Sequence, residues 1–360
     1  MSRSQRNDPI ERELQALVDR ACGADGPGAI LAVRAPLVGI DWRGASGSFA
    51  RGARKRLKAT DGFRIASMSK TFTATLIMQL VERGELELDA RLTEFFPKAW
   101  VRRVHPRGTT ITLEHLLTHT AGLWDFALSE PWSRELLSDP RKFRHPDEIL
   151  AWAIEHGGPV GAVGERHVYS DTGFVILGHV LQRVTGRAYK ALCRRRLFRP
   201  LGMTETWLEG HEAPRSTLSH SYSGRWDGLQ LNGSVDWAAG GHVSTVADLQ
   251  RFLTGLFRDA AVLSPESIDR MLVSVAVPGQ PDRRYGLGVG VRRETVDGRL
   301  ATMQTFWGHG GHWGSFMFYA PAWRAAIAGT VNRAAVDNRW IFSKLVELLD
   351  PAAEPLSRPG

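Results

Sequence analysis

Cysteine and long hydrophobic runs are scarce in this sequence of 360 residues. Its two cysteines, Cys22 and Cys193, lie far apart and have neither the spacing of a disulfide framework nor that of a CxxC metal or redox site. We interpret both as ordinary thiols. No apolar run approaches the ~20 residues of a membrane span, and the first residues lack the apolar core of a secretory signal. We therefore expect a cytoplasmic protein without a membrane partner.

Positive charge exceeds negative charge, with 46 Lys+Arg against 38 Asp+Glu and a formal net charge of +8. The basic runs at 51–58 and 194–196 are short, far apart and not interleaved with aromatic residues that stack on bases. The charge therefore does not indicate a nucleic-acid partner. Apolar residues at 43% and charged residues at 23% are typical of a globular protein with a sizeable core.

Hydrophobic patterns place strands near both ends of the chain and helices in the middle. An amphipathic helix is predicted to begin at Asp8 and Pro9 and to end near Gly23, and a hairpin is predicted to follow it. Further predicted helices cover 68–81, 113–119, 146–156, 174–185 and 340–349. The hairpin strands are 29–33 and 37–42, and late strands are predicted over 285–292, 301–307, 315–320 and 325–331.

These patterns predict an α/β (α+β) fold, in which the outer segments join in one antiparallel sheet with helices packed on it. Residues 1–89 and 236–360 are expected to form this sheet domain. Residues 90–235 are expected to form an inserted, mostly helical domain. The active site is then expected at the interface between the two.

A serine and a lysine three residues apart open the strongest helical pattern. Ser67 stands in the first turn, and Lys70 follows on the same helix face, so its amine can reach the Ser67 hydroxyl. A helix N-terminus also stabilises an oxyanion beside it. No other lysine in the chain has a serine three residues before it. The alternative is that Ser67 only caps the helix and Lys70 is a solvated side chain.

Two later motifs offer further polar groups. Val168-Tyr-Ser-Asp171 precedes a predicted helix, so a phenol and a carboxyl can project from one loop into a cleft. Gly308-His-Gly-Gly-His312 lies between two predicted strands, where small residues let a substrate lie against a strand edge. The alternatives are a buried tyrosine beside a capping aspartate, and a glycine-rich hairpin turn.

The order Ser-x-x-Lys, Tyr-x-Asp and His-x-Gly resembles that of the serine β-lactamase and penicillin-binding-protein superfamily. The chain most resembles its class C-like branch, which includes D-alanyl-D-alanine carboxypeptidases, D-aminopeptidases, D-amino acid amidases and carboxylesterases. The resemblance covers roughly residues 29–333 and implies a β-lactamase-like fold. The phrases that carry it are Phe63-Arg-Ile-Ala-Ser-Met-Ser-Lys70, Ile111-Thr-Leu-Glu-His-Leu-Leu-Thr-His-Thr-Ala-Gly-Leu123, Leu197-Phe-Arg-Pro-Leu-Gly-Met203 and Gly240-Gly-His-Val-Ser-Thr-Val-Ala-Asp-Leu249.

The resemblance implies that Ser67 is the acylated nucleophile and that Lys70 and Tyr169 transfer its proton. It implies an oxyanion hole formed by the backbone N–H groups of Ser67 and His312, and no metal or organic cofactor. Relatives most often carry Asn where this chain has Asp171, and an ionised carboxylate accepts hydrogen bonds without donating them. The family's usual contact with a substrate carbonyl is therefore in question here. The expected substrate and oxyanion contacts are Asp171, His309, Gly310, Gly311, His312 and Trp313.

His115 and His119 have the i, i+4 spacing of a zinc-binding helix. Leu116 stands where a zincin has its glutamate, and no third ligand is evident nearby. The resemblance explains this segment as structural, so we do not predict a metal site.

We expect a serine hydrolase that forms an acyl-enzyme on Ser67 and cleaves esters or amides, D-amino acid amides and small peptides among them. Small-molecule substrates are thus the expected partners. Two alternatives stay open: an acyltransferase that uses the same acyl-enzyme, and a non-catalytic penicillin-binding or scaffold protein. The sequence carries no signal for an oligomeric state.

Overall fold

The computed structural model describes residues 3–22, 26–295 and 303–350. Its α-helices are α1 (Arg3–Cys22), α2 (Ser69–Glu82), α3 (Leu92–Phe95), α4 (Lys98–Val104), α5 (Leu113–Leu117), α6 (Glu130–Ser138), α7 (Pro146–His156), α8 (Asp171–Thr185), α9 (Tyr189–Cys193), α10 (Trp237–Gly240), α11 (Val246–Leu253), α12 (Pro265–Leu272) and α13 (Arg339–Leu349). Its strands are β1 (Ala29–Ala35), β2 (Ile40–Ser46), β3 (Phe63–Arg64), β4 (Trp207–Leu208), β5 (Tyr222–Ser223), β6 (Trp226–Asp227), β7 (His242–Ser244), β8 (Val275–Val277), β9 (Gln280–Tyr285), β10 (Gly290–Glu294), β11 (Gln304–Gly310), β12 (Ser315–Ala320) and β13 (Ala325–Thr330).

An eight-stranded antiparallel sheet joins the two ends of the chain, in the order β2-β1-β13-β12-β11-β10-β9-β8. Its centre is the pairing of β1 with β13, where Ala32 lies opposite Ala328, and of β13 with β12, where Ala328 lies opposite Met317. The prediction that the outer segments form one antiparallel sheet is therefore confirmed.

Helices cover both faces of this sheet. The terminal helices α1 and α13 pack on one face and bury a cluster that includes Leu14, Phe316 and Phe342. Helix α11 packs against β1, β12 and β13 from the other side, where the larger core cluster lies. That cluster continues without a break from Phe72 of α2 to Phe174 of α8. The predicted division into a sheet domain and an inserted helical domain stays a prediction.

Two predicted elements differ from the structure. Helix α1 begins at Arg3, and Pro9 lies inside it, so the prediction of a start at Asp8 and Pro9 was wrong. The predicted strand over 285–292 is two strands, β9 and β10, because Gly288 between them has a φ of +68° and an added Cβ would lie 2.4 Å from Ala74 Cβ. The backbone turns there to rest on α2. The part of the predicted strand 301–307 that falls on 301–302 lies outside the described residues.

The remaining predicted helices and strands are present with small shifts at their ends. Helix α2 ends at Glu82, before Gly84 with a φ of +68°, which supplies the left-handed backbone that ends many helices. Helix α7 runs from Pro146 to His156 as predicted. Among the residues that the structure describes, no helix is both long and apolar enough to cross a membrane.

His242 of β7 lies in an aromatic enclosure behind α2. Its ring centroid is 5.3 Å from that of Phe72, 5.6 Å from Phe198 and 5.8 Å from Tyr189. Neither ring nitrogen has a hydrogen-bond partner, and burial lowers the pKa of His242 to about 3. A neutral, unsatisfied imidazole in this position destabilises the folded state at acidic pH, because the unfolded chain binds a proton that the folded chain does not.

We predict that His242→Leu raises the free energy of unfolding more at pH 5 than at pH 8. With a folded pKa of about 3 and an unfolded pKa of about 6.5, the penalty of His242 grows as pH falls below 6.5 and reaches about 2 kcal/mol at pH 5. Urea unfolding at both pH values measures the difference. His156→Leu, at an exposed helix end, is the matched control. A gain of equal size at both pH values would contradict the assignment.

Candidate active site

Ser67 lies in a single 3-10 turn, Ala66–Met68, between β3 and α2. The preceding residue Ala66 has a φ of +47°, a left-handed conformation that costs a non-glycine residue about 1–2 kcal/mol. Within residues 61–80, Ser67 alone remains partly exposed, and every other residue is buried. The strained turn therefore presents one hydroxyl from an otherwise closed segment.

The Lys70 ammonium is fully buried beneath this hydroxyl. Its Nζ lies 3.1 Å from Ser67 Oγ, 2.9 Å from the carbonyl oxygen of Ala239 and 2.5 Å from Asp171 Oδ1. The first two contacts are hydrogen bonds donated by the ammonium, and the third is an ion pair with the Asp171 carboxylate. The predicted reach of Lys70 to Ser67 is thus present, and Asp171 is the carboxylate partner of Lys70.

Tyr169 lies on the other side of the Lys70 amine. Lys70 Nζ is 4.9 Å from the centroid of the phenol ring, and the ring packs 4.3 Å from that of His119. Burial raises the pKa of Tyr169 well above its ordinary value, and the charge of Asp171 raises it further, whereas a hydrogen bond with Ser67 lowers it. The phenol is therefore protonated near neutral pH unless a nearby positive charge favours its ionisation.

Two more carboxyl groups, those of Asp125 and Asp236, line the same cavity as Asp171. Asp125 Oδ1 accepts the backbone N–H of Asp171 at 3.1 Å. Burial, and then the charge of Asp171, raise the pKa of Asp125 to about 7 and that of Asp236 to about 6. Three carboxyl groups thus surround one lysine, and two of them hold protons for part of the time near neutral pH.

The turn between β11 and β12 lies directly against the segment that carries Ser67. Ser315 Oγ donates to the carbonyl of Ile65 at 3.2 Å, and the Gly311 N–H donates to the Ser315 carbonyl at 2.7 Å. A Cβ on Gly311 would lie 2.3 Å from Ile65 O, whereas a Cβ on Gly310 would have its nearest contact at 3.9 Å. Glycine is therefore required at 311, because the backbone of the turn lies against the backbone of Ile65 there.

His309 of β11 is buried, and both of its ring nitrogens are engaged within the protein. Its Nδ1 lies 2.6 Å from the carbonyl oxygen of Gly310, and its Nε2 lies 2.9 Å from the hydroxyl of Tyr285. Burial, and then the positive charge of Lys70, lower the pKa of His309 to about 3. The side chain is therefore a neutral imidazole over the whole physiological range.

A buried arginine connects the cavity wall to the segment that carries Ser67. Arg64 of β3 forms two hydrogen bonds of 2.7 Å with the Glu209 carboxylate and also donates to the carbonyls of Gly228 and Leu231. Its guanidinium carbon lies 6.0 Å from the ring centroid of Trp313. The fork geometry of the guanidinium fixes the chain around 228–231 relative to the Ser67 turn.

The resulting cavity has a volume of about 930 Å³ and opens beside Ser67. Of the residues predicted for the site, those that line it are Ser67, Tyr169, Asp171, His309, Gly310, His312 and Trp313. Lys70 lies beneath the floor, and Gly311 lies behind the wall against Ile65. The structure thus brings all the predicted site residues to one place.

Three residues of this place were missed by the sequence analysis: Asp125, Asp236 and Tyr285. His119, which the sequence analysis considered only as a zinc ligand, packs against Tyr169. Asp125 follows Leu123 by two positions, just beyond a phrase used for the resemblance, and Tyr285 lies in a run interpreted as strand alone. His115 and His119 make separate contacts, since Thr112 N–H donates to His115 Nδ1 and Ser170 N–H donates to His119 Nδ1. Within the described ranges, no group of three or more potential ligands is arranged to hold a metal.

A Ser-x-x-Lys turn that faces a Tyr-x-Asp loop, beside an antiparallel sheet with terminal helices, defines the class of serine β-lactamases and penicillin-binding proteins. Comparison with known families agrees. The family model described as "Beta-lactamase" matches residues 30–341, and the chain belongs to this family.

Relatives and solved structures extend this comparison. The chain is 29% identical over 283 residues to penicillin-binding protein 4 of Amycolatopsis lactamdurans, covering 74% of this chain and 66% of the relative. It is 29% identical to esterase EstB of Burkholderia gladioli, covering 55% and 51%. The chain spans less than two thirds of the length of either.

Two solved structures match nearly the whole chain. A D-stereospecific amidohydrolase from Streptomyces sp. superposes with a TM-score of 0.80 at 28% identity, covering 95% of this chain and 98% of that one. The D-amino acid amidase of Ochrobactrum anthropi SV3 superposes with a TM-score of 0.78 at 26% identity and the same coverage. The predicted β-lactamase-like fold is confirmed.

We predict that Gly311→Ala lowers the free energy of unfolding by about 1–3 kcal/mol, because the new methyl group forces the β11–β12 turn away from Ile65. Gly310→Ala, one position earlier and without a close contact, is the matched control and should cost much less. Urea unfolding of both variants measures the effect. Equal stability of the two variants would show that the turn has room to move.

Proposed function

We propose that this protein is a serine hydrolase that cleaves esters or amides through an acyl-enzyme on Ser67. One observation carries the proposal: the partly exposed Ser67 hydroxyl lies 3.1 Å from the buried Lys70 amine at the edge of a large cavity. An ordinary surface serine has no buried amine beneath it and no strained turn that presents it. The arrangement supports a nucleophile with a proton acceptor within reach.

Proton transfer is proposed to run between Ser67, Lys70 and Tyr169 as one unit. Two hydrogen-bond acceptors and the Asp171 carboxylate surround Lys70 Nζ, so Lys70 is assigned the cationic form with Asp171 as its counter-ion. The ammonium, 4.9 Å from the Tyr169 ring, then favours ionisation of the phenol, which opposes the effect of burial. Tyr169 is the proposed base for Ser67.

In the proposed reaction, Ser67 Oγ attacks the substrate carbonyl while its proton passes to Tyr169. The backbone N–H groups of Ser67 and His312 are the proposed donors to the oxyanion. Tyr169 returns the proton to the departing alcohol or amine, and an ester bond to Ser67 remains. Water then attacks this ester, releases the acid and restores the Ser67 hydroxyl.

The substrate is proposed to carry an apolar group. Side chains of α6 and the facing loops give the cavity an apolar wall that includes Leu128, Trp132, Leu136, Leu137, Trp226 and Trp313. Leu128 and Leu137 are 68% and 57% exposed at the cavity rim, so a ligand that covers them removes apolar surface from water. Amides of hydrophobic D-amino acids and small peptides fit this wall, and the names of the two matching solved structures support the first.

We predict that a fluorophosphonate adds one adduct to the protein, and that the adduct is absent in Ser67→Ala. Intact mass spectrometry measures the adduct. Ser69→Ala, two positions later in the same segment, is the matched control and keeps it. Turnover of p-nitrophenyl esters by the wild type, lost in Ser67→Ala, separates a hydrolase from a binding protein. Labelling that persists in Ser67→Ala would place the nucleophile elsewhere.

We predict that Asp171→Asn moves the acid limb of the kcat/KM profile to lower pH by roughly 0.5–1 unit. The charge of Asp171 is one of the causes that raise the pKa of Tyr169, so its removal makes the phenol easier to ionise. Asp269→Asn, on an exposed position of α12, is the control and leaves the limb in place. An unmoved limb with full activity in Asp171→Asn would mean that Asp171 is protonated in the wild type.

A further inference from the structure

We infer that Tyr285 determines substrate specificity through His309. The Tyr285 hydroxyl is hydrogen-bonded to Nε2 of His309, so this wall of the cleft presents a neutral imidazole to the substrate rather than a cation. The site then takes esters and amides whose groups beside the scissile bond are uncharged, and discriminates against a free carboxylate there. This inference rests on the proposed hydrolase function and adds the charge of the substrate to it.

The tautomer of His309 follows from its two hydrogen bonds. A carbonyl oxygen can only accept, so the 2.6 Å contact with Gly310 O places a proton on Nδ1. The Tyr285 hydroxyl, at 2.9 Å from Nε2, is itself buried, and burial raises its pKa well above the ordinary value. Tyr285 therefore keeps its proton and donates it to Nε2, which accepts.

The two largest influences on His309, its burial and the charge of Lys70, favour this neutral form. Burial and the positive charge of Lys70 lower the pKa of His309, and His167 lowers it by a smaller amount. The hydrogen bond with the Gly310 carbonyl raises this pKa, but by less than burial and Lys70 lower it. The Tyr169 ring centroid lies 6.3 Å from that of His309. Within the part of the chain that the structure describes, no carboxylate is bonded to His309 or is among the causes that shift its pKa. The imidazole has no carboxylate partner there that would stabilise a cation.

Other groups of the cavity do not replace the missing cation. Lys70 is already matched with three oxygens, and Asp125, Asp171 and Asp236 add negative charge near Ser67. A substrate carboxylate placed beside Ser67 meets like charges, and among the described residues the cations that line this cavity are the arginines of its outer part. An ester or amide group meets no such repulsion.

Arginines line the outer part of the cavity, along β9 and β10. Arg284 donates to Ser274, and Arg292 is ion-paired with Glu294. Arg283, two residues before Tyr285, also lines the cavity and so must be tested separately as an anion site.

The test uses two aryl acetates, the acetate esters of 3-hydroxybenzoic acid and of 3-hydroxybenzamide, which differ by one carboxylate on the leaving group. After correction for uncatalysed hydrolysis, the wild type should show at least a 10-fold higher kcat/KM on the carboxamide ester. In Tyr285→Phe, the His309 imidazole loses its donor and is easier to protonate, so this ratio should fall, and it should fall more at pH 5.5 than at pH 8. Tyr319→Phe, on β12 of the same sheet, is the matched control and keeps the wild-type ratio at both pH values.

A direct readout does not require turnover. In protein labelled with ¹⁵N-histidine, the His309 resonances, assigned by their absence in His309→Gln, should show a protonated Nδ1 and an unprotonated Nε2 down to pH 5. In Tyr285→Phe the titration of His309 should move to higher pH. A wild-type His309 that titrates near pH 6.5, or that carries its proton on Nε2, overturns the inference.

Three kinetic outcomes also decide it. A wild type that prefers the carboxylate ester overturns the inference, and so does an equal loss on both esters in Tyr285→Phe, which indicates only a structural role. A preference for the carboxamide ester that persists in Arg283→Gln supports it. If neither ester is hydrolysed and Ser67 takes no fluorophosphonate, the proposed hydrolase function has failed, and the NMR result still decides the state of His309.

Discussion

The buried ammonium of Lys70 is the constraint on which the site depends. A charge without solvent is stable only when oxygen atoms replace the water it has lost. Here the three oxygens come from three separate elements: the Ser67 turn, the end of α10 at Ala239 and the start of α8 at Asp171. These elements can take only those positions that keep all three oxygens around Nζ. The lysine thus sets the geometry of the cleft as well as its chemistry.

The cleft contains more carboxyl groups than the one lysine can neutralise, so its net charge depends on how many of these carboxyl groups are protonated. Asp125 and Asp236, with pKa values raised to about 7 and about 6, change charge near neutral pH. The charge of Asp171 is a cause of both shifts, so the protonation of Asp125 and of Asp236 depends on this neighbour. Protonation or substitution of one of these carboxyl groups therefore alters the electrostatic environment of Ser67 even when the contacts of Ser67 are unchanged.

Local patterns in the sequence predicted the parts of the site that are local in the fold. The i, i+3 spacing of Ser67 and Lys70 is a property of one helix, and the structure places the two side chains in contact. Asp125, Asp236 and Tyr285 could not be identified in this way, because each reaches the cavity through tertiary packing. The resemblance supplied the order of the motifs and the fold.

The errors of the prediction have physical causes. Gly288 interrupts a run with strand character because its close approach to Ala74 turns the chain onto α2. Helix α1 extends past Pro9 towards the N-terminus, although a proline at the first turn of a helix is the common arrangement. The hydrophobic periodicity of a sequence does not show that a glycine packs against a distant helix. It also does not show that a helix continues through a proline.

The Arg64 pairing has a consequence for how the chain reaches its native state. Its partners lie 145 to 167 residues away in sequence, at Glu209, Gly228 and Leu231. Closing loops of that length costs more chain entropy than forming a helix such as α2, whose contacts are near neighbours. The helix that begins just after Ser67 can therefore form early, whereas the wall opposite it assembles only after most of the polypeptide has collapsed. We therefore expect the cleft to form late in folding, after the helix that follows Ser67.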